Sequence, residues 1–154
     1  MTQSGYESRL FHYFEEISRV PRCSGNRAGI ARWLEDFAVS QGLDYKRDEA
    51  DNVLIFKPGS GGKENAPPIA LQGHTDMVCE KAPDSDHNFE TDPIELIREG
   101  DILRANKTTL GGDNGIAVAM ILALLEDKEL AHPPLEAVFT SDEETGLIGA
   151  HALA

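Results

Sequence analysis

Apolar positions set out the elements of this chain before any chemistry enters. Tyr6, Leu10, Phe14 and Ile17 recur at near-helical spacing, with Phe11 and Val20 beside them, and Pro21 ends the pattern. That spacing predicts a first amphipathic helix. After the Ser24-Gly25-Asn26 turn, Ile30, Trp33, Leu34 and Phe37 mark a second helix, which Gly42 suits as a C-terminal cap. Leu43 to Arg47 and Val53 to Phe56 read as two short strands of a hairpin, joined through Asp48–Asn52. Pro58 to Pro68, rich in Gly and Lys, is a solvated loop. An apolar strand then runs from Ile69 to His74, and a polar loop from Glu80 to Asn88 lies over or beside its end. Asp92 to Leu103 predicts a further hairpin turning at Glu99-Gly100-Asp101. From Asp113 to about Lys128 the residues are apolar nearly all round a helix, as in a helix buried against a sheet. His132-Pro133-Pro134 breaks it, and Leu135 to Thr140 forms the next strand. There is no internal repeat. The fold class expected is α/β, a mixed sheet flanked by helices within one domain.

Three of these elements begin or end in groups able to hold a metal. The strand ending in Gly73-His74-Thr75-Asp76 puts an imidazole and a carboxylate two residues apart, on one face of extended chain. That spacing suits a ligand and a carboxylate that fixes its ring, or equally a hydrogen-bonded surface pair. Gly111-Gly112-Asp113-Asn114-Gly115 opens the buried helix, where Asp113 is either a ligand or a helix cap. Ser141-Asp142-Glu143-Glu144-Thr145-Gly146 follows the last strand, and its paired acids are either solvated or split between binding a metal and taking a proton from water. Open α/β sheets place their sites at the carboxyl ends of strands, where these three junctions would converge.

Composition narrows the classes. With 14 Lys and Arg against 27 Asp and Glu the formal net charge is -13, which opposes binding to nucleic acid or to an anionic membrane. That acidity is either a well-solvated surface or includes carboxylates awaiting divalent cations that would offset their repulsion. Cys23 and Cys79 have no C-x-x-C spacing, so neither a disulfide framework nor a thiolate zinc site is expected, and a reducing compartment fits. The first residues lack a basic region followed by an apolar core, and the most apolar run, Ile116 to Leu125, is far shorter than the roughly 20 residues a membrane span needs. A cytoplasmic protein is expected.

Gly73 to Lys81, Thr108 to Gly115 and Ser141 to Gly146 together resemble the aminoacyl-histidine dipeptidases, also called Xaa-His dipeptidases or peptidase D, a branch of the co-catalytic zinc peptidases that includes aminoacylase and peptidase T. The resemblance runs from about Ser18 to the last residue. His-x-Asp and Glu-Glu mark the wide superfamily; Met77-Val78-Cys79-Glu80-Lys81 and Phe89 to Ile94 resemble the dipeptidase branch. The resemblance implies that His74 ligates one metal, Asp113 bridges two and Glu144 ligates the other. It also implies that Glu143 is the general base, that Asp76 orients His74 and that the Asp113–Asn114 peptide is cis. Two Zn2+ ions are the implied cofactors, with Co2+ or Mn2+ as alternatives, and a short peptide is the implied substrate. A homodimeric parent is compatible with this.

The family supplies a further acidic ligand, a distant C-terminal histidine and an inserted lid-like domain, none of which is present, and Ala82-Pro83 replaces a more usual polar position. Residues 1–154 therefore read as the N-terminal portion of a catalytic metallopeptidase domain, itself inactive. Competing expectations are a related tripeptidase, an N-acyl amino acid amidohydrolase, or a non-catalytic binding module keeping the fold.

Overall fold

The computed structural model describes residues 3–153. Two helices come first, α1 (Gln3–Ser18) and α2 (Ala28–Gln41), the latter ended by Gly42 in left-handed conformation with its amide turned back to the carbonyls of Ala38 and Val39. The hairpin β1 (Asp44–Arg47) and β2 (Val53–Lys57) follows, then β3 (Ile69–His74), the hairpin β4 (Leu96–Glu99) and β5 (Ile102–Ala105), helix α3 (Gly112–Glu126), β6 (Leu135–Thr140) and the short α4 (Ile148–Ala152). Each element anticipated from the apolar spacing is present, with ends shifted by a few residues.

The main sheet runs β1-β2-β6-β3, and β4-β5 forms a separate two-stranded sheet. β1, β2 and β6 pair antiparallel, while β3 pairs parallel to β6, with His74 opposite Thr140. The sheet is mixed because β6 enters between a hairpin strand and a strand reached through the α3 crossover. Alternation decides its faces: Val53 and Ile55 on β2 and Ala137 and Phe139 on β6 are fully buried, whereas Leu54 and Val138 between them, and Gln72 beside Val138 on β3, are not. The buried face joins Tyr13, Phe14 and Ile17 of α1, Ile30, Leu34 and Phe37 of α2, and Val118, Ile121, Leu122 and Leu125 of α3 in one core. α3 lies between α1 and β3. Its one open strip is Ile116 and Met120, four residues apart.

Among the described residues no helix is long and apolar enough to cross a membrane. The cysteine expectation is corrected: Cys23 and Cys79 are joined as a disulfide, with their Cα atoms 5.7 Å apart. A β-bridge between Cys23 and Met77, with the Met77 amide donating to the Arg22 carbonyl, brings the two segments together. Local cysteine spacing carries no trace of a contact made by tertiary pairing of segments 56 residues apart.

Candidate metal centre

Parallel pairing in register makes β3 and β6 finish level, so the residues that follow each strand emerge side by side. The Thr75 amide donates to the Thr140 carbonyl at 2.8 Å, carrying the pairing one step past the strand. α3 starts against the same edge, because Gly73 lies against Ala117 and Val118. Topology thus delivers His74, Asp113 and the Glu143-Glu144 pair to one place from three elements distant in sequence.

His74, Asp113 and Glu144 each offer one ligand atom, and these atoms lie within 4.8 Å of one another. His74 is buried, 5% exposed, and Asp76 is 2% exposed, which excludes the surface-pair alternative for His-x-Asp. His74 Nδ1 lies 3.1 Å from the main-chain oxygen of Asp76, so this nitrogen is placed to donate, which leaves the Nε2 lone pair free. Nε2 faces Asp113 Oδ1 at 3.2 Å and Glu143 Oε2 at 3.7 Å. An imidazole fixed through one nitrogen and facing carboxylates through the other suits a divalent cation. The donor set of one imidazole and two carboxylates fits zinc, and also the other divalent ions that accept mixed nitrogen and oxygen ligands.

Asp113 is not a cap. Gly111 holds the N-cap position of α3 without any side-chain cap, the Asp113 backbone is extended (φ -86°, ψ 113°), and its side chain is 84% exposed toward the cluster. The Asp113–Asn114 peptide is cis, as the resemblance implies.

Asp76 has a different set of partners from the one its spacing suggests. Its carboxylate is 3.4 Å from His74 Nδ1, farther than its own main-chain oxygen. The shorter contacts go elsewhere: Oδ1 accepts the Glu143 amide at 2.9 Å, while Oδ2 accepts the Ser24 hydroxyl at 2.6 Å and the Glu144 amide at 3.3 Å. A buried carboxylate with three donors is satisfied without an ion, and here it fixes the main chain of both glutamates. In this turn Glu143 and Glu144 both approach His74, whereas their adjacency in the sequence suggests side chains pointing apart.

Sequence reasoning missed four residues that frame the centre: Arg22, Ser24, Arg27 and Asp142. Arg22 is 2% exposed. Burial pushes its guanidinium pKa down to about 10, against the opposing pull of Asp76. Asp142, buried and at φ 47°, accepts from the Gly25 amide at 2.6 Å and pairs with Arg27 at 3.2 Å. The Pro21-Arg22-Cys23-Ser24-Gly25 turn was the available signal, yet it has no periodicity to assign its side chains to the interior. His12, His132 and His151 lie outside the cluster; His132 Nδ1 lies 2.7 Å from the Pro133 oxygen.

No protein-family model matches the chain. Over 144 residues it is 40% identical to "Cytosol non-specific dipeptidase" of Escherichia coli (strain K12), a match covering 94% of this chain and 30% of that protein. The solved structure of aminoacylhistidine dipeptidase from Vibrio alginolyticus superposes with a TM-score of 0.91 at 42% identity, over 94% of this chain and 30% of that one. A tripeptidase from Staphylococcus aureus follows with a TM-score of 0.78 and 27% identity, over 96% and 39%. The mixed sheet flanked by helices is therefore a dipeptidase-like arrangement, and the chain resembles the aminoacyl-histidine and non-specific dipeptidases along almost its whole length while spanning about three-tenths of theirs.

Proposed function

We propose that this chain is the N-terminal portion of the catalytic domain of a metal-dependent dipeptidase, and that it contributes most of the metal-binding and proton-transfer groups of the active site. The observation that carries this reading is the meeting of His74, Asp113 and Glu144 at one strand edge, with the His74 ring anchored through Nδ1. Similarity to dipeptidases in sequence and fold supports the substrate class, and the aminoacyl-histidine type is the preferred member.

In this reading His74, Asp113 and Glu144 would hold two zinc ions, with His74 and Glu144 assigned to one each and Asp113 shared between them. Bound ions supply Lewis-acid polarisation of the scissile carbonyl and lower the pKa of a water molecule. Glu143 is the base: Oε2, on the side facing His74 Nε2, takes a proton from the attacking water and returns it to the leaving amine. Asp76 holds Glu143 and Glu144 in place through their amides, and its main-chain oxygen fixes the His74 tautomer. Three donors divided between two positions leave each incomplete by the usual count of at least three protein ligands, so the 154 residues alone are expected to bind metal weakly and not to turn over dipeptide.

Hydrolysis by the complete protein, compared on an aminoacyl-histidine dipeptide, a tripeptide and an N-acyl amino acid, tests the substrate class. Preference for the tripeptide or the acyl compound would replace dipeptidase with the related activity. Glu143→Gln should remove most turnover with metal content near that of the parent, and Glu144→Ala should lose metal. The reverse pattern, read by atomic absorption beside initial rates, would exchange their roles.

A further inference from the structure

One turn touches every junction of the centre without contributing a ligand. Arg22 Nη1 donates to the Thr75 carbonyl at 3.1 Å and Nη2 to the Gly111 carbonyl at 2.8 Å, while the Arg22 carbonyl accepts the Met77 amide at 3.1 Å. Two residues on, Ser24 reaches the Asp76 carboxylate, and Gly25 and Arg27 reach Asp142. Arg22 therefore sits between the residue after His74 and a residue two before Asp113.

Its surroundings are built to admit a guanidinium. A Cβ placed on Gly115 would lie 2.8 Å from Nη2, and one on Gly111 would collide with the same nitrogen, so side chains at either position would expel the group. Gly111 also adopts φ 68°, where glycine is favoured. Among the described residues no carboxylate lies within ion-pairing distance of Arg22, and its buried Nε has no partner. A buried cation held mainly by main-chain carbonyls is an expensive way to fill space; an apolar chain of similar length would pack there without the desolvation cost. What an apolar chain lacks is the rigid fork that binds two carbonyls at a fixed separation.

Resting on the metal-centre reading above, we infer that Arg22 is a positioning residue for that centre: its guanidinium fixes the loop after β3 against the loop before α3, and so sets the separation of His74 from Asp113. It touches neither metal nor substrate, and acts through the main chain on both sides.

The test is titration of the complete protein with Co2+, following the visible d–d absorption, with unfolding in urea measured in parallel. Arg22→Met, similar in length and without donors, should weaken Co2+ binding about tenfold or more, in the range typical of groups that orient ligands, and should alter the band positions. Arg22→Lys keeps the charge but replaces the fork with a single ammonium group, and should fall between the two. Parent-like affinity and spectrum in a folded Arg22→Met chain would overturn the inference. If Arg22→Met does not fold, Arg22→Lys decides: unchanged affinity would show that the two-carbonyl clamp is not needed, whereas a loss of affinity with stability retained would support it. Absence of any Co2+ binding by the complete parent protein would overturn the metal reading itself, and this inference with it.

Discussion

Removing the Asp76 carboxylate should loosen the acidic loop from the inside. Its two oxygens accept three hydrogen bonds, from Ser24, Glu143 and Glu144, and the group is nearly inaccessible to water. Asp76→Ala leaves all three donors without their acceptor, at about 1–3 kcal/mol for each one that stays buried. Ser24 and Glu143 are only partly buried and Glu144 is exposed, so water can replace much of what is lost, which places the figure near the lower end. The sum is about 2 kcal/mol, a sizeable share of the 5–15 kcal/mol typical of a folded domain. Asp76→Asn keeps one acceptor for the Glu143 amide but turns an NH2 group toward Ser24 and the Glu144 amide, so it should lose about half as much. Urea unfolding followed by the fluorescence of Trp33, the only tryptophan, measures the stability term. Zinc titration of the same variants measures how far Glu144 has strayed. Stability within about 0.5 kcal/mol of the parent, the range of an uninvolved surface change, together with unchanged zinc affinity, would refute the assignment of these hydrogen bonds as the support of the loop.

Three further perturbations address other parts of the framework. Gly149→Ala should destabilise by about 1–3 kcal/mol in the same urea assay, because a Cβ there would lie 2.6 Å from the Ser141 amide and collide with the Asn52 side chain and Ser141 carbonyl; an unchanged midpoint would show that α4 shifts freely. Burial works against the Asp127 carboxylate, yet the amides of Glu129 and Leu130 and the nearby Arg9 hold its pKa below the usual value. The stability it contributes is therefore full above the unfolded pKa of about 3.9 and lost as pH falls through the lower folded value, so Asp127→Asn should flatten this acid limb of the stability profile. Cys23→Ser, or reduction, opens a loop spanning 56 residues and should lower stability by about 2–4 kcal/mol; an unchanged urea midpoint would mean that the Cys23–Met77 pairing holds without the sulfur bridge.

How far the sequence discloses this molecule depends on the range of the interactions involved. Elements with an apolar period, such as α2 around Ile30, Leu34 and Phe37 or the alternating β6, are dictated by local burial, and their spacing marks them. The candidate site residues were also visible, because a histidine or paired acid directly beside an apolar run is conspicuous. What stayed hidden was decided across long separations. Asp76 spends its carboxylate on Ser24 and the amides of Glu143 and Glu144, partners 52, 67 and 68 residues away. Arg22, charged and next to a proline turn, reads as surface; only the two distant glycines that make room for it explain its burial. The disulfide belongs with these, as a product of the same turn meeting the end of β3.

The parallel pairing of β3 with β6 gives the site an address counted in residues. Successive side chains in a strand face opposite ways, so sliding β3 by a single position would send His74 to the wrong side of the sheet. Strand alignment thus decides whether the cluster forms: a chain with β3 misaligned would keep His74 in its sequence and lose it from the meeting with Asp113 and Glu144. A one-residue deletion between Ile69 and His74, which removes none of His74, Asp113 and Glu144, would on this ground be more damaging than many substitutions closer to the cluster.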